Sequence, residues 1–327
     1  MLQLVQNETM KILRRRRFLV VALILLILIP IFTYAQYKAV LTAQERLGTT
    51  DWRTLLQQRI VDNQNRLSSS RMPEEWRQWL SVQIKQQQYY LDHDINPDAP
   101  GGPAFARSFM DQAVALFLPM TTVVLAVDLV SAEHSEGTIK LLLTRPVRRW
   151  KVLTSKYIAL LLFASLSVVL SLVLAYLISG VVFGYAGWNM PVLTGFRAAG
   201  ENLDTSGVFM LPLWKYMFMQ YGLGWYVCVV VGTITLMVSV LVRSAAAGMG
   251  IMMAALISGS ILTQMASTWE SAKYLFVVNL GLTDYLSGSL PPIKGMTLPF
   301  SLAVLGVWGL AALIVAYAVF TKRDVVS

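Results

Sequence analysis

Six stretches of the chain hold apolar residues almost without interruption: 18–34, 109–130, 157–183, 220–242, 245–265 and 298–320. A helix rises 1.5 Å per residue, so about 20 apolar residues cross a hydrocarbon core of about 30 Å. The pattern predicts an all-α polytopic membrane protein with six transmembrane helices.

Between these stretches the pattern turns amphipathic. Residues 1–17 put Leu2, Val5, Met10 and Leu13 roughly on one helical face, with Lys11 and the run Arg14-Arg15-Arg16-Arg17 nearby. That suits an interfacial helix in the headgroup plane, and a plain basic tail that fixes topology fits the same residues. Residues 36–108 form an insertion with two helical periods broken by 68–71 and Pro73. Trp52, Leu56, Ile60 and Leu67 mark one apolar face, and Trp76, Leu80, Ile84 and Leu91 the other, which predicts a helical hairpin. It reads as a water-facing cap or as a platform for a ligand or partner. In 266–297, the apolar run 275–282 is interrupted by Asn279 and flanked by Trp269, Tyr274 and Tyr285. It is too short to cross and reads as interfacial or re-entrant, tolerated where protein or a wet cavity covers it.

Composition agrees: 56% of residues are hydrophobic and 14% charged. The net charge of +9 would fit a nucleic-acid binder, but its distribution excludes that partner. Residues 1–17, 131–156, 242–245 and 321–327 carry 14 Lys and Arg, against four (Arg197, Lys215, Lys273, Lys294) in the shorter loops of the other side. The positive-inside bias then puts both termini in the cytoplasm and 36–108 outside, the long insertion being left out of the count. The segment 18–35 follows a basic run and ends in small residues like a cleaved leader, yet its apolar stretch is longer than a usual leader core, so it reads as a retained span. A single cysteine, Cys228, allows no intrachain disulfide.

Enzyme chemistry is missing from the pattern. There is no Gly-Lys dipeptide and hence no phosphate-cradling P-loop, no G-x-S-x-G and no H-E-x-x-H. Asp92-His93-Asp94 looks like a metal triplet, but sequence neighbours rarely converge on one ion. Asp111 and Asp128 stand near the two ends of the second span, where capping or interface anchoring suits them better than a proton relay. In the fifth span Ala246, Gly250, Ala254 and Ser258 repeat every four residues and share a face that admits another helix closely, within this chain by default or in a second subunit.

The connection 131–156 stands apart. Glu133 and Glu136 lie near the start of a short helical segment, where carboxylates favour the positive end of the dipole. Ile139, Leu142 and Leu143 give it an apolar face, Pro146 ends it, and Arg145, Arg148, Arg149 and Lys151 mark the membrane surface. An exposed amphipathic helix of this kind suits docking into a groove of a soluble partner.

The run Asp128-x-x-Ser131-x-Glu133-x-x-Glu136-Gly137-Thr138, followed by Leu142-Leu143, Pro146, Arg149 and Lys156, resembles the signature of ABC-2-type transporter permeases, E-x-x-x-G-T-x-x-x-L-L-x-x-P-x-x-R with a lysine opening the next span. The Asn7-Glu8-x-x-Lys11 opening, the arginine run and the six-span layout are similar too. The resemblance implies a permease subunit of an ATP-driven exporter in a bacterial cytoplasmic membrane, paired with a second permease subunit, identical or not. ATP and Mg would sit on separate cytoplasmic ATPase subunits. Glu133, Glu136, Gly137, Thr138, Leu142, Pro146 and Arg149 would couple nucleotide-driven closure to the spans, with no catalytic residue or cofactor in this chain. From another class, a membrane sensor or assembly factor whose external hairpin binds a ligand or partner also fits the residues.

Overall fold

The computed structural model describes residues 1–68, 72–135, 137, 147–200, 202–265 and 269–322. The chain is mostly helical. Helix α1 (Leu2–Arg14) turns at Arg16, whose backbone is left-handed (φ 56°), into α2 (Arg17–Leu47). At 31 residues α2 is about 46 Å long, more than a bilayer core needs. Its buried residues are Val21, Leu25, Ile29 and Thr33, one every four positions, so a single stripe faces the bundle while Leu19, Leu23, Leu26 and Ile31 point outward. Helices α3 (Trp52–Leu67) and α4 (Glu74–Asp92) form the expected hairpin. The Asp51 carboxylate accepts the amide hydrogens of Arg53 and Thr54 and so caps α3. Leu56, Ile60 and Leu80 lie in the hairpin interior, but Trp76 is exposed and stacks edge-on against Trp79 instead of packing inward.

The second apolar stretch is not one helix. It is divided into α5 (Gly102–Ala113), α6 (Phe117–Ala126) and α7 (Asp128–Ser135). Pro119 accounts for the first break: its ring would clash with the carbonyl four residues earlier, whereas in the first turn of α6 its missing amide hydrogen costs nothing. The next helices start earlier than the apolar pattern implies. Helix α8 runs Arg149–Phe183 and takes in Arg149, Lys151 and Lys156, and α9 runs Leu213–Leu241 and takes in Trp214 and Tyr216. Helices α10 (Ala245–Met265) and α12 (Leu298–Lys322) complete the set. Six helical segments are long and apolar enough to cross a membrane: Arg17–Leu47, Phe117–Ser135, Arg149–Phe183, Leu213–Leu241, Ala245–Met265 and Leu298–Lys322. The Phe117–Ser135 segment and α9 are the most enclosed of the six, and α12 is the least.

Four short strands were not expected. β1 (Pro191–Thr194) pairs antiparallel with β4 (Phe209–Pro212), and β2 (Arg197–Ala199) with β3 (Asn202–Asp204). No run of alternating residues here is long enough to stand out in the sequence. The enabling position is Gly195, at φ +91°, where an added Cβ would lie 2.2 Å from the Gly207 carbonyl oxygen. Gly195→Val should therefore cost about 1–3 kcal/mol from backbone strain alone. The expected result is fast amide exchange across 191–212 with unchanged exchange in α9; slow exchange across 191–212 would contradict it.

The 266–297 segment contains no crossing element among its described residues. It has two 3-10 turns (Glu270–Tyr274 and Phe276–Asn279) and a one-turn helix, α11 (Asp284–Ser287). Asn279 Nδ2 donates to the Lys273 and Leu275 oxygens (2.8 Å each), closing the turns on themselves.

Candidate functional site

Helix α1 packs on α8, and ion pairs from both reach α7 at this end of the bundle. The packed face of α1 is not the apolar one. Glu8 and Ile12 are buried, while Leu2, Met10 and Leu13 remain exposed. Glu8 and Lys11 share one side because they are three residues apart. Glu133 lies in the second half of α7 and Lys156 two turns into α8, both buried.

These four side chains form one ion-pair node. The fully buried Lys156 Nζ donates to Glu133 Oε1 (2.7 Å), Glu8 Oε2 (2.9 Å) and the Leu129 backbone oxygen (2.8 Å), which uses all three of its hydrogens. Lys11 Nζ donates to Glu8 Oε1 (2.7 Å) and Glu133 Oε1 (2.8 Å). Two carboxylates face two ammoniums, so the node is formally neutral, the condition under which buried charge is tolerated. Burial pulls the Lys11 ammonium down, but Glu133 and Glu8 outweigh it and hold its pKa above the ordinary lysine value.

A second pair lies beside the node. Arg17 Nε donates to Asp128 Oδ2 (2.9 Å), and Arg15 Nη1 stands 3.6 Å from the same oxygen. Asp128 opens α7 and is therefore an internal ion partner as well as an N-terminal carboxylate. Ser239 of α9 accepts the amide hydrogens of Val130 and Ser131 (3.1 Å each), first-turn donors with no acceptor inside α7. Arg149 Nη1 reaches the Thr321 oxygen (3.3 Å) at the carbonyl end of α12. One motion of α7 would thus be felt by α1, α8 and α9.

Of the residues expected to couple, Glu133 is central, though through ion pairs and not at a helix N-terminus. Arg149 ties α8 to α12, and Gly137 is exposed with nothing within 4 Å of a built Cβ. Glu136, Thr138, Leu142 and Pro146 lie outside the described residues. The sequence reading gave Glu8 and Lys156 no structural role. Their signal was a charge amid apolar spacing: Glu8 is the only acid among the first 17 residues, and Lys156 opens a long apolar run.

Other candidates fall elsewhere. Ala246, Gly250, Ala254 and Ser258 are all exposed, and the buried face of α10 is Gly248, Met252, Leu256 and Gly259. The small-residue stripe therefore does not pack within this chain, contrary to the default expectation. In the Asp92-His93-Asp94 triplet, Asp94 pairs with Arg53, His93 stacks on Tyr89 (3.9 Å between ring centres) and Asp92 accepts from Gln88 (2.9 Å).

Comparison with known proteins corrects the family reading. Over 240 residues the chain is 28% identical to the uncharacterized protein YhcI of Bacillus subtilis (strain 168), covering 73% of this chain and 74% of that protein. Over 212 residues it is 30% identical to the uncharacterized membrane protein YdbK of the same organism, covering 64% of this chain and 78% of that one. The resemblance to ABC-2-type permeases is overturned, because the matching family model is a different one. The pieces behind that resemblance (an acid before a glycine, a leucine pair, a proline, flanking arginines) also suit an amphipathic connection between two spans in a different family. The chain is an integral membrane protein, and with residues 78–326 matched it belongs to the family described as protein of unknown function DUF2705.

Proposed function

We propose that this chain is the membrane-embedded permease subunit of an ATP-driven export system, worked by a separate ATPase that docks at the end of the bundle carrying α1. Both termini face the cytoplasm of a bacterial cell, the protein is a multi-pass component of its cytoplasmic membrane, and the α3–α4 hairpin lies outside. The lysine and arginine distribution supports that orientation, and both relatives named above come from a bacterium.

The observation that carries the reading is the ion-pair node. It joins α1, α7 and α8 at the root of the 136–148 connection, so a partner that grips the connection moves two spans and the N-terminal helix together. A partner can bias a membrane protein only through contacts that differ between its states. A rigid charged hub beneath two spans supplies such a lever. The sequence holds no P-loop, so the nucleotide belongs to the partner. The exposed stripe on α10 is where a second permease subunit would approach.

The test is affinity capture of the full chain from its own membranes after mild crosslinking. A P-loop ATPase should be recovered, and Leu142→Asp should reduce its recovery at least tenfold while insertion stays normal. Capture without any ATPase, or an undiminished yield from the variant, would overturn the proposal. One observation favours the second reading, a sensor or assembly factor: Trp76 and Trp79 are 58% and 42% exposed on the hairpin, the kind of aromatic surface that binds partners. On that reading capture depends on Trp76 and not on Leu142.

A further inference from the structure

Away from the ion-pair node, α5, α9 and the 280–287 segment enclose a second polar cluster. Gln220 of α9 is fully buried. Its Nε2 donates to Asp111 Oδ1 (2.6 Å) and to the Arg107 oxygen (3.1 Å), which fixes the carboxamide against Asp111. Its Oε1 is buried and has no partner among the described residues. Thr283 is also fully buried; its hydroxyl acts on Asp111, yet it completes no hydrogen bond of good geometry. Asp284 follows it and lies within electrostatic reach of Asp111. Its residue surface remains open to solvent, which gives the cluster an entrance.

Each feature is costly alone. A buried carbonyl-type oxygen without a donor forfeits its hydration, and two carboxylates facing each other repel. Arg107 meets this only in part, through the pull of its charge on Asp111. Its Nη2 is held by the Pro97 oxygen (3.2 Å), and its guanidinium lies over the Tyr216 ring (5.8 Å). What would satisfy the oxygens of Asp111, Asp284, Gln220 and Thr283 together is a positive charge that accepts oxygen ligands.

We propose that Asp111, Asp284, Gln220 Oε1 and Thr283 Oγ1 form a binding site for a hard divalent cation of the Ca²⁺ type. The donors are all oxygens, with no nitrogen or sulfur to favour zinc or copper. Two carboxylates match a double positive charge, and ligands drawn from three separate elements suit the adaptable shell of Ca²⁺ better than the strict octahedron of Mg²⁺. Bound there, the ion pins the 280–287 segment to α5 and α9. The site does not depend on the export reading.

The experiment uses the full chain in detergent, stripped with a chelator and titrated with Tb³⁺, whose luminescence is excited through Tyr216, a ring within electrostatic reach of both carboxylates. The expected result is a saturable signal displaced by Ca²⁺ with a midpoint of about 0.1–1 mM, and displaced at least tenfold less well by Mg²⁺. Asp284→Asn, at an exposed position, should weaken binding at least tenfold, and Thr283→Val should weaken it less. No saturable signal in the native chain, an unchanged midpoint in Asp284→Asn, or a signal that only protons displace would overturn the assignment.

Discussion

Lys156→Met is expected to be the most damaging single substitution in the chain. Methionine fills much the same volume, so the loss is electrostatic: three hydrogen bonds disappear, and Glu8 and Glu133 are left to share Lys11. Removing one partner of a buried ion pair costs about 3–5 kcal/mol, because the remaining charge stays buried. The measurement is the unfolding midpoint in mixed micelles, together with amide exchange along α1. The unfolding free energy taken from that transition should fall by an amount of that order, and α1 should exchange early. A double variant, Glu133→Leu with Lys156→Met, removes one charge of each sign and leaves Glu8 with Lys11. It should cost clearly less than the sum of the single variants, a coupling of about 0.5–3 kcal/mol. Additive costs would mean that the four groups do not act as a unit.

The node also marks the limit of what the sequence could say. Apolar length alone located all six segments long and apolar enough to cross, because a hydrocarbon core imposes one simple demand on composition. The α3–α4 hairpin was legible from its period. Helix boundaries were less so. Pro119 divides the second stretch, and α8 and α9 continue past the apolar run into residues that a hydropathy pattern reads as loop. The apolar face of α1 was legible, but not the face that packs: Glu8 and Ile12 turn inward onto the ion-pair node, and Leu2, Met10 and Leu13 are left outside. Charges in an apolar context can be seen in one dimension, but their partners cannot. Glu8 and Lys156 are 148 positions apart and touch only because α1 folds back beneath α8. The polar cluster at Asp111 has the same character: its ligands come from positions 111, 220, 283 and 284, which no local pattern connects.

Gly259→Val is expected to have the second-largest effect, confined to the other half of the molecule. Gly259 faces inward on α10, and a Cβ there would lie 2.3 Å from Val277 Cβ and 2.9 Å from its Cγ2. Val277 belongs to the 3-10 turn Phe276–Asn279, which Asn279 closes through two backbone oxygens, so the turn cannot absorb the clash by a rotamer change. It must move as a body. Overpacking of this kind costs about 1–3 kcal/mol, and here the displaced body continues into Thr283 and Asp284. The variant should therefore lose Tb³⁺ luminescence while amide exchange in α1 stays at the native level, since distant sites without shared partners respond independently. Native luminescence in Gly259→Val would mean that the turn and the carboxylate pair are mechanically separate. Early exchange in α1 would mean instead that strain passes through α9 from one polar cluster to the other.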